Sequence, residues 1–122
     1  MAEQVIHSET INVGLITDAL MPIFQVPTGF GGITLLEANI TFAEAGTAGL
    51  YLINAGAVGT ATGAAGTLAT YGGTAYTALT PIEMTIASSA YIGEGSFIAV
   101  KEDSTGASSG TTSIQFVYKY GK

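Results

Sequence analysis

Glycine and proline interrupt this chain so often that no long helix fits between them. The breaks fall at Pro22, Pro27 to Gly32, Gly46 to Gly49, Gly56 to Gly66, Gly72-Gly73, Pro81, Gly93 to Gly95, and Asp103 to Gly110. Glycine, lacking Cβ, serves backbone conformations that other residues avoid, and proline removes a donor and fixes φ, so both punctuate regular structure. The intervening segments are rich in Thr, Ile, Val, Tyr and Phe, which suit a pleated, half-buried surface. An all-β fold is expected.

Alternation supports this. In Ile33–Ala43 the residues Leu36, Ala38, Ile40 and Phe42 share one face and Glu37, Asn39 and Thr41 the other, the period of two that a sheet with one solvated face requires. Ile82–Ala87 repeats it, with Ile82, Met84 and Ile86 inward and Glu83 and Thr85 outward. Ser96–Glu102 and Thr112–Tyr120 are alternating runs separated by a polar loop, and read as an antiparallel hairpin. In the second run Ile114, Phe116, Tyr118 and Tyr120 lie opposite Gln115, Val117 and Lys119. Weaker strands are read at Gln4–Thr10, Ile23–Val26, Leu50–Asn54, Gly66–Tyr71 and Thr74–Leu79, and Asn12–Met21 reads as a turn or short helical piece ended by Pro22. About eight to ten short strands predict a β-sandwich of jelly-roll type, with a small β-barrel as the alternative. The 122 residues suit one domain: an N-terminal arm or edge strand over 1–12 and a single β domain over 13–122.

Charge excludes more than it specifies. Only 10% of residues are charged, against about 25% in an ordinary soluble domain, and sparsely charged surfaces favour association. Nine carboxylates face three lysines, with no arginine. Lys101, Lys119 and Lys122 all fall near the C-terminus, so the clustered cations that bind phosphate backbones are missing and no nucleic-acid partner is expected. Ala45–Ile82 carries no charge, yet Val58 and Leu68 are its only large aliphatics between Ala55 and Ala78, too few for a membrane span. The N-terminal Met1-Ala2-Glu3-Gln4 lacks the basic and apolar regions of a secretory signal. The small-residue stretch Ala55–Gly73 reads as a surface loop or loose hairpin, or as an inter-subunit contact where small side chains let backbones approach; its threonines hold no fixed period, against a repeat array.

Reactive groups are scarce. There is no cysteine, and the single histidine, His7, reads as a solvated residue of an edge strand. Gly93-Glu94-Gly95-Ser96 lacks the glycine that follows the serine in a nucleophile elbow and reads as a tight turn. Glu102-Asp103 with Ser104 and Thr105 lacks the alternating ligands of a calcium loop. Glu37, Glu83 and Glu94 are the carboxylates from which a hydrolytic pair would be drawn, but Glu37 and Glu83 sit on polar strand faces where solvating carboxylates belong. No lysine follows the glycines of Gly56–Gly66 to meet a phosphate. No catalytic, cofactor-binding or metal-binding residue is therefore assigned, and a non-enzyme is expected. Tyr51, Tyr71, Tyr76 and Tyr91 remain as residues that stack on sugars or anchor interfaces, so a carbohydrate- or receptor-binding module of a phage fibre or tail is the alternative function.

In its Ala/Gly/Thr-rich, cysteine-free, acidic composition, and in the C-terminal runs Gly-Glu-Gly-Ser-Phe-Ile-Ala-Val-Lys and Ser-Ile-Gln-Phe-Val-Tyr-Lys-Tyr-Gly-Lys, the chain resembles the small structural proteins of tailed-bacteriophage virions, specifically capsid decoration (cement) proteins. The resemblance is one of style along the whole chain, without an identifying motif. It implies a β-rich homotrimer, made in the host cytoplasm, that binds the major capsid protein on the capsid exterior and stabilises the lattice. It also implies attachment through an N-terminal arm, here Ala2–Asn12, although Val5, Ile6, Thr10, Ile11 and Val13 suit a strand and so depart from a disordered arm.

Overall fold

The structure, a computed structural model, describes residues 5–14, 16, 19–57, 66–88, 90–102 and 111–122. Its strands are β1 (Ile6–Val13), β2 (Met21–Gln25), β3 (Ile33–Phe42), β4 (Gly46–Ala57), β5 (Thr67–Tyr76), β6 (Ile82–Glu83), β7 (Thr85–Ile86), β8 (Tyr91–Ile92), β9 (Ser96–Glu102) and β10 (Thr112–Tyr120). The protein is all-β. The first sheet runs β1-β10-β3-β6, with β8 also on β3, and the second runs β2-β9-β4-β5-β7. The pairs are nested: β1 with β10, β2 with β9, β3 with β6 and β8, β4 with β5, all antiparallel. A nested ribbon whose successive pairs fall in opposite sheets is a jelly roll. The sheets curl into a half-barrel. Among the described residues no helix is long and apolar enough to cross a membrane.

The core lies between the sheets. Ile33, Leu35, Ala38, Ile40 and Phe42 of β3 and Ile114 and Phe116 of β10 meet Leu50 and Leu52 of β4, Leu68 of β5 and Ile98 and Val100 of β9, all buried. Each large aliphatic or aromatic side chain so buried stabilises the fold by about 1.5–3 kcal/mol. Phe42 stacks on Tyr76 with ring centroids 3.6 Å apart. Tyr76 in turn covers Gly46, its partner in the β4–β5 ladder, where a Cβ would lie 2.8 Å from the Tyr76 hydroxyl. The glycine therefore makes room for the ring.

Several expectations are corrected. Gly46 to Gly49 and Gly72-Gly73 are not turns: they lie within β4 and β5, where Gly46, Thr47, Gly49 and Gly72 pair, and Gly66–Tyr71 and Thr74–Leu79 fall largely in one strand instead of two. Pairing in the ladder overrides the turn tendency, and at Gly46 the missing side chain leaves room for the Tyr76 ring. The strands Ser96–Glu102 and Thr112–Tyr120 are not a hairpin. β9 lies between β2 and β4 in the second sheet, and β10 between β1 and β3 in the first; alternation fixes which face is buried but not which strand lies alongside. Leu36 is not on the core face. The register slips between Val117 and Tyr118, which oppose Glu37 and Leu35, so Leu36 is an extra bulged residue and is 42% exposed while Leu35 takes the inward place. The short helical piece does not form in the described part of 12–21: Asn12 and Val13 finish β1 and Met21 opens β2. Residues 15, 17 and 18, and residues 58–65 of the small-residue stretch, lie outside the described residues.

The segment Ile82–Ile86 alternates as expected but serves both sheets. Ile82 and Glu83 pair with β3, Thr85 and Ile86 pair with β5, and Met84, buried at the corner, donates its N–H to the Ala38 carbonyl oxygen. This crossing joins the two sheets along one long side, while the opposite side carries the edges β1 and β2.

The bulge generates a test. Leu35→Ala removes a buried side chain and should destabilise the fold by about 2–5 kcal/mol. Leu36→Thr should change stability by less than about 0.5 kcal/mol. Equilibrium urea unfolding measures both, and the reverse order would mean the opposite register.

Candidate interaction surface

Period-two alternation in β1 sends His7, Glu9, Ile11 and Val13 towards the sandwich and Ile6, Ser8, Thr10 and Asn12 outwards. His7 is therefore half-buried and not the solvated residue expected from sequence. Its ring stacks on Tyr118 at 5.3 Å and meets the edge of Tyr120 at 4.7 Å. Phe24 of β2 lies 5.8 Å from Tyr118, and Phe30 stacks on Tyr120 at 4.7 Å. An aromatic wall thus lines the side of the half-barrel beneath β1.

A glycine-rich loop holds Phe30 there. Gly29, Gly31 and Gly32 have φ of 92°, 78° and 80°, and the turns they allow aim backbone N–H groups at one carboxylate: Gly31 donates to Glu94 Oε1 at 2.6 Å. Hydrogen bonds from Gly31, Gly29 and Phe30 lower the pKa of Glu94. Tyr91 donates its hydroxyl to the Gly31 carbonyl oxygen at 2.7 Å. Gly32 is fixed by space as well as by φ, because a Cβ there would lie 2.6 Å from the Ile92 carbonyl oxygen.

The outer face of the first sheet is different in kind. In register across β1, β10, β3 and β6 lie Thr10, Gln115, Asn39 and Glu83; flanking rows hold Asn12, Ser113 and Thr41, and Ser8, Val117 and Glu37. Side-chain amides and hydroxyls link the strands: Asn39 Nδ2 donates to Gln115 Oε1 at 3.2 Å, and Gln115 Nε2 donates to Ser8 Oγ at 3.2 Å. This is a hydrogen-bonding face with Glu37 and Glu83 along one side, the bulged Leu36 beside them, and Lys119 between Ile6 and Thr34 towards one end.

The carboxylates singled out from sequence are not assembled into a site. Glu37 and Glu83 are diagonal neighbours on the outer face, whereas Glu94 is engaged by the loop carrying Phe30. Glu102 ends β9, and Asp103, Ser104 and Thr105 lie outside the described residues. Among the described residues no three His, Cys, Asp or Glu side chains gather as a metal site would require. His7, Glu9 and Tyr118 converge, while Ser8 points to the other face. Tyr71 and Tyr76 are 8% and 6% exposed. They pack around Phe42 and offer no platform to a sugar, which corrects the reading of them as exposed stacking residues. Tyr51 and Tyr91 are partly exposed, with Lys122 Nζ 5.1 Å over the Tyr91 ring. The aromatic wall was missed because Phe24, Phe30, Tyr118 and Tyr120 are distant in sequence. The inward place of His7 was legible, since it shares parity with Ile11 and Val13.

No protein-family model, curated protein or solved structure matches the chain significantly.

The sheet edges differ in how they are protected. β6, β7 and β8 are two residues long, and β2 carries Pro22 and a register shift beside it. Short edge strands, prolines and bulges are the devices by which proteins blunt an edge. β1 has none of them. Its eight residues pair with β10 without interruption and contain no proline or lysine, and the apolar Val5 and Ile6 at its start are 66% and 52% exposed. Among the described residues β10 is the only strand it pairs with.

Tyr118 reports on the wall. Burial first, then the neighbouring Tyr120 and Glu9, push its pKa from the ordinary 10.0 up to about 12. Because the folded value is raised, the associated stability is fully present below pH 10.0 and is lost as pH rises through about 12. Alkaline absorbance titration should show a tyrosine with a midpoint near 12 that Tyr118→Phe removes; an unchanged curve in that variant would place the shift elsewhere.

Proposed function

We propose that this protein is a non-enzymatic virion structural protein, a capsid decoration protein that binds the outside of a major-capsid lattice and stabilises it through subunit contacts. The observation that carries the reading is the outer face of the first sheet. Its interlinked Ser, Thr, Asn and Gln side chains form a neutral hydrogen-bonding patch in the middle of the sheet, with Glu37 and Glu83 along one side and Lys119 towards one end. Such a surface is desolvated at lower cost than a charged one and fits repeated contacts with a protein lattice, where many modest interfaces combine. The excess of carboxylates over lysines keeps the molecule off DNA and gives it no attraction to anionic membranes. Jelly rolls are frequent in viral capsids, a fold-level analogy that agrees with the reading without carrying it. The fibre or tail receptor-binding alternative loses two of its four tyrosines to the core.

The test is co-sedimentation with empty capsids assembled from the major capsid protein of the same genome. The protein should pellet with capsids and raise their melting temperature, and Asn39→Lys with Gln115→Lys should weaken binding on the order of tenfold or more by burying unpaired charge. Absence of binding to those capsids, or equal binding by the lysine variants, contradicts the proposal.

A further inference from the structure

We infer that β1 pairs with β1 of a second copy, in antiparallel register centred on Ser8, so that two first sheets join into one across a two-fold axis. The inference rests on the β1 edge and is independent of any capsid partner. Three edge elements of the molecule are only two residues long and a fourth edge is broken by Pro22, so among the described residues β1 is the longest uninterrupted strand that ends either sheet, and the one best suited to strand addition.

Symmetry and charge select the partner and the register. A two-fold axis perpendicular to a sheet pairs residues of equal parity, so inward residues meet inward residues. Centring the axis on Ser8 places His7 opposite Glu9 twice, Ile6 opposite Thr10, and Val5 opposite Ile11. Imidazole donors then face carboxylate acceptors, and an exposed valine is covered by a half-buried isoleucine. Centring on Glu9 instead sets Glu9 against Glu9, a like-charge pair that destabilises a ladder. Centring on His7 leaves Glu9 opposite Val5, and centring on Thr10 leaves it opposite Ile11. Only the Ser8 register matches the strand's sole acidic residue with its sole histidine, and it does so reciprocally, so the strand is its own complement. The aromatic wall behind His7, from Tyr118 and Tyr120, holds the imidazole against the inner face beside the new strand.

The pairing displaces the three-fold assembly that the virion resemblance implies, and it doubles the outer amide face, since both first sheets present the same side of the joined sheet.

Because the chain has no cysteine, single cysteines report the register directly. Ser8 is exposed and would lie against its symmetry mate at a Cα separation of about 4.5–5.5 Å, within disulfide range. Under mild oxidation Ser8→Cys should cross-link to a dimer at least about tenfold faster than Asn12→Cys, whose mate lies roughly 25 Å away along the paired strands. Analytical ultracentrifugation of the unmodified protein should give a dimer. His7→Glu should weaken it by about tenfold, and the exchange His7→Glu with Glu9→His should restore it. A monomer or trimer in solution, equal cross-linking at positions 8 and 12, or a charge exchange that fails to restore the dimer of a folded variant overturns the inference. Any of these leaves the capsid reading standing, since that is tested on the outer face.

Discussion

Met84 is buried where the chain leaves one sheet for the other, and the pairings on either side of it, Ile82–Glu83 with β3 and Thr85–Ile86 with β5, tie the two sheets together along one long side. Among the described residues the other long side has no such crossing strand. There β1 and β2 end their sheets, and the gap between them is filled by side chains: Phe24, Phe30, Tyr118, Tyr120 and His7. This unequal closure determines which backbone groups are left over. On the joined side the edges are short and spent on the crossing; on the open side β2 is blunted by Pro22 and β1 is not.

The loop from Thr28 to Gly32 links the closed core to the open side. Three glycines in left-handed conformations turn its N–H groups onto Glu94, and the loop sets Phe30 against Tyr120. Tyr120 and Tyr118 in turn back His7 on β1. A long-range hydrogen bond thus reaches the face of the edge strand through a short relay of packed rings. Packed rings also explain why an inward histidine and glutamate are tolerated on β1: the side is roofed by aromatics yet open to water at its margin, so neither group bears the full cost of burial.

Much of this was legible in the sequence, and what was not has a common cause. Alternation identified strands in Ile33–Ala43, Ile82–Ala87 and Thr112–Tyr120 and assigned the inward faces of the last two. It failed where one residue breaks the count: the bulge at Leu36 moves that side chain outward and Leu35 inward. It was silent on partners. β9 and β10 follow one another in the chain yet lie in different sheets, because each is inserted between two strands made much earlier, a non-local choice that neighbouring residues do not encode. Glycine as a sign of turns misled at Gly46, where the missing side chain makes room for Tyr76 across the ladder, and at Gly72, which pairs with Gly49 inside the ladder. Of the interaction surface, parity on β1 was readable, whereas the aromatic wall and the Glu94 carboxylate in its loop depend on contacts between residues dozens of positions apart.

The central claim is that β1, the longest uninterrupted strand ending a sheet among the described residues, leaves its outer edge for a partner. Amide hydrogen exchange resolved along Ile6–Val13 tests it most directly. In dilute solution the account predicts alternation, with amides bonded to β10 protected and those pointing away exchanging fast, and it predicts that the second set becomes protected once the protein is assembled. Protection of every β1 amide in the dilute monomer, or of none, would contradict it.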